Sequence, residues 1–176
     1  MRNLKTKFNT LRRSDGFTII EIMIVLAIAG VIMLIVLLAV PALQRNSRNT
    51  TIKSSAASVA GGISTFASDN NGTAPNVFTF TSPTLTMGNA ATACTGSPTT
   101  TQTVTLSGSI KVNCITAVPA AQVPASTLDV WPGEACPASQ PAGQVAPTAG
   151  TASANATAIY YSTETTSGLV DQCTST

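Results

Sequence analysis

The sequence predicts an α+β protein in which a long N-terminal helix, transmembrane at first and amphipathic afterwards, packs on a small antiparallel β-sheet. Three observations lead to this fold class. Residues 22–40 form an uninterrupted apolar run, apolar residues then continue at helical spacing as far as residue 66, and the rest of the chain is rich in Thr and Ser and carries all four cysteines. We therefore expect one β-rich head, stapled by disulfides in its C-terminal region, to follow the helix.

The composition is poor in charge. Of the 176 residues 44% are hydrophobic and 9% are charged, and none is histidine, whereas an ordinary soluble domain is about one quarter charged. The lack of histidine excludes His-based catalytic triads and most zinc sites, and the scattered acids form no Asp-rich calcium loop. We therefore expect no catalytic residue, no metal and no cofactor, and a protein that is not an enzyme.

The first sixteen residues differ in charge from everything that follows. They contain five basic residues and one acid, whereas the rest of the chain contains four basic residues and six acids. No basic stripe of the kind that binds nucleic acid is present. The nineteen residues from Ile22 to Val40 span about 28 Å as a helix, close to the thickness of the bilayer hydrocarbon core. The positive-inside tendency then places the N-terminus in the cytoplasm and the remainder outside it.

A helix is expected to continue beyond the apolar run. Apolar residues recur at spacings of 4, 3, 4 and 3, which places them in one stripe on a helix: Ile52, Ala56, Val59, Ile63 and Phe66. Pro41 predicts a kink, since it lacks an N–H and crowds the preceding turn. The segment Asp69-Asn70-Asn71-Gly72 supplies turn residues. We therefore expect the helix to end there and its stripe to be covered by the sheet.

Strands are predicted where apolar and polar residues alternate in short runs, at residues 76–81, 103–118 and 156–165. Within the second run, residues 103–107 and 110–114 are expected to form a hairpin, because Ser107-Gly108-Ser109 can turn the chain. Residues 88–101 and 136–154 are predicted to be loops.

The four cysteines predict two disulfides. No two of them form a Cys-x-x-Cys pair, and an exported domain with a thin core gains from covalent closure; free buried thiols are the alternative. Four cysteines allow three connectivities. We favour Cys94–Cys114 and Cys136–Cys173 because each bridge then links neighbouring elements, the second one stapling the C-terminus.

The most specific motif stands where the basic segment meets the apolar run: Gly16-Phe17-Thr18-Ile19-Ile20-Glu21. It resembles the processing site of type IV prepilins and pseudopilins. The resemblance implies that a membrane-embedded prepilin peptidase cuts between Gly16 and Phe17, that Phe17 is then N-methylated, and that Glu21, with Phe17 and Thr18, acts in assembly. In the family the glutamate of one subunit pairs with the N-terminal amine of its neighbour.

The resemblance also implies a domain order and a set of partners. We expect a leader (1–16) that is removed, a transmembrane and filament-core helix (17–43), its amphipathic continuation with a turn (44–72), and the head (73–176). The expected partners are further copies of the same chain, the prepilin peptidase, the pilus assembly platform with its ATPase, and the cytoplasmic membrane before assembly. Family members commonly have a glycine and a proline between which the helix melts in the filament, here Gly30 and Pro41.

Three functions are compatible with these features. The first is a subunit of a type IV pilus for adhesion, motility or DNA uptake, and the second is a pseudopilin of a type II secretion-like machine. Major pseudopilins usually lack disulfides and carry a calcium site, so the cysteines favour the pilus. The third is a signal-anchored surface protein that never polymerises. A cleaved secretory signal is less compatible, because its apolar region is about 7–15 residues long.

Overall fold

A computed structural model describes residues 16–138 and 149–176. The predicted residues 1–15 of the leader and part of the predicted loop 136–154 lie outside this range. One helix is followed by seven strands: α1 (Ile19–Asp69), β1 (Val77–Thr81), β2 (Thr84–Gly88), β3 (Thr101–Thr105), β4 (Lys111–Cys114), β5 (Thr127–Glu134), β6 (Ala152–Thr165) and β7 (Gly168–Ser175). The predicted α+β fold class is confirmed.

The chain divides into two compact units, Met1–Pro41 and Ala42–Thr176. Within the first, the described residues are almost entirely the apolar part of α1. This part is long and apolar enough to cross a membrane by length and composition, and none of its most hydrophobic stretch is buried within the protein. A lipid bilayer or another protein must therefore cover these side chains, because exposing so large a continuous apolar surface to water costs free energy.

The stripe on the second part of α1 is buried, as predicted. Each of its five residues, from Ile52 to Phe66, is at most 3% exposed. The helix ends in a Schellman-type turn, in which Asn71 adopts a positive φ of 54° and the N–H of Gly72 donates to the carbonyl of Ala67 at 2.7 Å. The turn residues that the sequence placed at 69–72 thus end the helix by satisfying its last carbonyls.

The strands form two sheets, whereas the sequence suggested one. A three-stranded antiparallel sheet has the order β1-β2-β3, and a four-stranded sheet has the order β4-β5-β6-β7. The longest pair, β6 with β7, is a hairpin that runs from Ala158–Ser175 to its turn at Thr165–Gly168. Strand β5 carries a bulge between Pro132 and Glu134, where Gly133 takes a positive φ of 80°.

Both sheets contribute to a single core against α1. The inner residues of the first sheet are Phe78, Leu85 and Met87, and those of the second are Leu128, Val130 and Ile159; all pack in one cluster with the helix stripe. Gly62 lies close against the first sheet: a Cβ there would stand 3.0 Å from the terminal methyl of Met87 and would overlap Val104. The absence of a side chain at Gly62 therefore lets β2 and β3 lie directly on the helix.

The predicted hairpin over residues 103–114 is wrong. Strand β3 pairs with β2 in the first sheet, and β4 pairs with β5 in the second, parallel rather than antiparallel. Residues 106–110 lead the chain from one sheet to the other, and two of them, Leu106 and Ile110, are buried in the core. Strands β2, β5 and β7 were not predicted.

The two predicted disulfides are present in the C-terminal half. Cys94 joins Cys114 with a Cα–Cα distance of 5.2 Å, and Cys136 joins Cys173 with a Cα–Cα distance of 5.8 Å. This is the pairing favoured from the sequence. The first bridge connects the loop after β2 to the end of β4, and the second connects the segment after β5 to β7.

Candidate processing and assembly site

The first turn of α1 begins at Thr18, which is its N-cap. The N–H of Glu21 donates to the Thr18 hydroxyl at 3.3 Å and to the Thr18 carbonyl at 3.1 Å, and the N–H of Ile22 donates to the same carbonyl at 3.3 Å. A threonine side chain at this position satisfies a helix N–H that has no partner within the helix. Gly16 and Phe17 precede the helix in non-helical backbone and are exposed, so the bond between them is accessible to another protein.

Glu21 lies in the first turn of the helix, three residues after the cap. A carboxylate there is favoured by the partial positive charge of the helix N-terminus. It is the only charged residue among residues 16–41, and no ion pair with it is present among the described residues. The arrangement therefore offers one exposed anion at the start of an apolar stretch, residues 16–41, that is otherwise uncharged.

The surface around Glu21 is strongly apolar. Phe17 is 76% exposed and Ile19 83% exposed, and every large apolar residue onward to Leu43 is at least 40% exposed. Gly30 and Pro41, the predicted limits of a melting segment, both lie inside α1. Apart from its chain neighbours and the adjoining helix backbone, nothing lies within 4 Å of a Cβ placed on Gly30, and Pro41 cannot donate a hydrogen bond to the preceding turn.

The head is fastened to α1 by Asn49. Its Nδ2 donates to the main-chain carbonyl of Glu164 and its Oδ1 accepts from the N–H of Glu164, both at 2.7 Å. Glu164 pairs with Leu169 of β7 on one side, but β5 extends along β6 only to Tyr161. The Asn49 amide thus replaces a missing neighbouring strand at the end of β6.

Arg48 adds an ion pair to this attachment. Its Nε and Nη2 donate to the two carboxylate oxygens of Glu164, each at 2.6 Å. The hydrogen bond from Arg48 lowers the pKa of Glu164. Two adjacent helix residues therefore hold Glu164: Arg48 binds its side chain and Asn49 binds its main chain.

The outer side of the second sheet contains a buried polar group. Asp171 is 2% exposed; its Oδ1 accepts from Ser162 Oγ at 2.6 Å and from the N–H of Val123 at 3.3 Å, while its Oδ2 has no hydrogen-bond partner among the described residues. Burial raises the pKa of Asp171, whereas the hydrogen bonds from Ser162 and Val123 act to lower this pKa. Burial also raises the pKa of Asp129, against a hydrogen bond from Asn113 and with repulsion from Asp171 adding to the rise.

These acids do not form a metal site in the part of the chain that the structure describes, where no group of three or more potential ligands converges. Sequence reasoning found neither this polar group nor the contact between Asn49 and Glu164. Both join residues far apart in the chain, and no local pattern reports such pairs. By contrast, Gly16, Phe17, Thr18 and Glu21 are neighbours in sequence, so the motif alone was enough to predict them as site residues.

Residues 11–37 match the family model of the prokaryotic N-terminal methylation motif. This motif is the signature of type IV pilins and prepilins, and it indicates a structural, pilin-like or pseudopilin-like protein. It implies processing by a prepilin peptidase and assembly into a pilus-like polymer, and together with the apolar helix it fits anchoring in a membrane. No curated protein and no solved structure matches the chain significantly.

Proposed function

We propose that this chain is the precursor of a structural subunit of a type IV pilus, which assembles through its N-terminal helix into an extracellular filament for adhesion, motility or DNA uptake. The observation that carries the proposal is the unpartnered apolar part of α1, with the N-terminal methylation motif at its start and Glu21 as the one charge among residues 16–41. A polymer with the helices packed at its centre would bury this surface and give that charge a partner.

In the proposed mechanism, the peptidase first removes residues 1–16. Hydrolysis of the peptide bond after Gly16 leaves a free α-amino group on Phe17, whose pKa of about 7.7–8.0 in unstructured peptides makes it largely cationic near neutral pH. N-methylation of Phe17 keeps this charge. The new amine lies one residue before the Thr18 cap, at the same end of the helix as the Glu21 carboxylate.

Pairing between subunits follows from the cost of an unpaired charge in the membrane. A carboxylate costs about 2.5–3.5 kcal/mol at the centre of a membrane-spanning helix and less near its end. If Glu21 of an incoming subunit binds the Phe17 amine of a subunit already in the filament, both charges are neutralised at once. This pairing would fix how far one helix is displaced along the next.

The apolar surface by itself cannot supply this register. Lipid chains cover apolar side chains about as well as other helices do, so helices in a bilayer associate through packing and polar contacts rather than through the hydrophobic effect. We therefore assign adhesion between subunits to helix packing and register to the Glu21–Phe17 pair. The proposed partners are other copies of the chain, the peptidase, and the membrane platform and ATPase that drive assembly.

The test replaces Glu21 with alanine in cells that assemble the filament. The Glu21→Ala chain should insert into the membrane and lose its leader normally, but sheared filaments should be absent or strongly reduced. Asp69→Ala is the matched control, because Asp69 is an exposed acid at the other end of the same helix. Normal filament yield from Glu21→Ala would refute the proposed mechanism.

Intact-mass measurement of sheared surface filaments separates the remaining alternatives. A subunit that begins at methylated Phe17 and contains two disulfides supports the proposal. A mature chain that still begins at Met1 would favour a signal-anchored surface protein. A chain that is trimmed and methylated but remains in the cell envelope, without surface filaments, would favour a pseudopilin.

A further inference from the structure

The first sheet presents a face of threonine side chains. Strands β1, β2 and β3 each contain Thr at alternate positions, and the alternation places these residues on the side of the sheet opposite α1. They are Thr79, Thr81, Thr84, Thr86, Thr101, Thr103 and Thr105. We call this surface the threonine face.

The strand register arranges these residues in rows. Thr81, Thr84 and Thr105 stand opposite one another across the three strands, and so do Thr79, Thr86 and Thr103. Neighbouring strands are about 4.7–4.9 Å apart, and residues two apart on one strand are about 6.6 Å apart. The two rows therefore form a regular two-dimensional lattice of side chains, which Thr101 extends by one position.

The hydroxyls of the threonine face are available to solvent. The five residues on the outer strands are exposed and the two on the central strand β2 are half-buried. None of the seven hydroxyls hydrogen-bonds to another residue of the described chain, whereas Thr50, Thr51 and Thr65 on α1 donate to helix carbonyls. Each hydroxyl on the face thus keeps one donor and two acceptor sites for an external partner.

The chemistry of the face argues against a protein or a nucleic acid as its partner. No residue of β1, β2 or β3 is charged, which removes the basic groups that bind phosphate. Protein interfaces are enriched in aromatic residues and Arg, but Phe78 and Phe80 both point to the core side of the sheet. The lack of outward aromatic rings likewise leaves no platform on which a sugar ring could stack.

We infer that the threonine face binds an ordered water lattice, namely the surface of ice. Each threonine presents a methyl group beside its hydroxyl. Water next to a methyl group is restricted in orientation, and the adjacent hydroxyl can hold that water by hydrogen bonds. These groups repeat at nearly constant spacing in two directions and would hold waters in an array that continues into the ice crystal. The spacings between oxygen atoms on faces of hexagonal ice are of the same order as the spacings between the threonines.

The inference can be tested without assembling a filament. The full-length chain in lipid nanodiscs is mixed with a frozen sucrose solution, and the growth of ice crystals during annealing is followed by microscopy, with empty nanodiscs as the blank. The wild-type chain should inhibit ice recrystallisation. Thr86→Tyr, at the centre of a row, should raise the concentration needed for the same inhibition by about tenfold, the loss expected for removing one central contact.

Three further measurements make the result specific. Ser153→Tyr places the same bulk at an exposed position on β6 of the other sheet and should leave inhibition unchanged. Thr103→Tyr tests the same row on the edge strand, and circular dichroism verifies that each variant is folded. Three results would each overturn the inference. The first is that the wild-type chain inhibits ice recrystallisation no more than empty nanodiscs do, and the second is that folded Thr86→Tyr and Thr103→Tyr inhibit it as strongly as the wild type does. The third is that the chain is retained on a neutral polysaccharide and has no effect on ice.

Discussion

Replacing Asn49 with alanine is expected to destabilise the head more than replacing Arg48 with alanine. Asn49→Ala removes two hydrogen bonds of 2.7 Å and leaves both main-chain groups of Glu164 on that side without a partner. An intramolecular hydrogen bond typically contributes about 0.5–1.5 kcal/mol, so the two together predict a loss of about 1–3 kcal/mol in the free energy of unfolding.

Arg48→Ala removes the salt bridge instead. The Arg48 side chain is 49% exposed and that of Glu164 20% exposed, so water and salt screen the attraction between them and ordering the long side chains offsets much of it. The loss on removing this ion pair should therefore be smaller than the loss on removing the Asn49 amide, although the distances in the ion pair are the shorter ones.

Urea unfolding of the full chain in detergent micelles measures the difference, with the fluorescence of Trp131 in β5 as the probe. Thr50→Ala is the control, because the Thr50 hydroxyl donates only to the Asn46 carbonyl within the same helix. The expected order of midpoints is wild type and Thr50→Ala highest, then Arg48→Ala, then Asn49→Ala. A lower midpoint for Arg48→Ala than for Asn49→Ala would refute the reasoning.

Two further predictions concern the second sheet. Because burial raises the pKa of Asp171 above its ordinary value of 3.8, the folded state binds the proton more tightly, and the contribution of Asp171 to the free energy of unfolding should fall as the pH rises from 3.8 towards the raised pKa. Asp171→Asn should remove this contribution in urea unfolding at a series of pH values, while the contribution of Asp129 and the opposite one of Glu164, whose pKa is lowered, remain; an unchanged pH dependence would contradict the assignment. The Cys136–Cys173 bridge closes a separation of 37 residues, so its replacement by two serines should lower the unfolding free energy by about 3–4 kcal/mol. Thermal unfolding with and without the bridge tests this, and equal melting temperatures would show that the bridge does not stabilise the head.

The helix was predictable because its signals are local. The spacing from Ile52 to Phe66 depends only on the helical repeat, and the turn at residues 69–72 depends only on the residues that stand there. The same holds for the N-terminal methylation motif, since Gly16 and Glu21 lie within one short segment. The stripe, the end of the helix and the position of the motif all therefore followed from neighbouring residues.

The sheets were less predictable because strand pairing is decided between distant residues. Ser107-Gly108-Ser109 has suitable turn residues, but burial of Leu106 and Ile110 carries the chain across to the second sheet instead. Strand β5 was missed because Pro132 and Gly133 lie within it, where a bulge accommodates them. Strand β2 does show alternation, in Thr84-Leu85-Thr86-Met87, and this signal was available in the sequence.

The bridge between Cys94 and Cys114 determines how the head responds to a pulling force. It joins the loop after β2 to the end of β4, and so ties one sheet to the other. Tension applied to an outer strand must then pass through a covalent link before the sheets can separate, whereas a hydrogen-bonded pair alone can unzip one residue at a time. With Cys136 joined to Cys173 as well, the residues inside the two disulfide loops cannot extend under tension unless a covalent bond breaks, so the head can lengthen only in the segments outside these loops, which include β1 and β2.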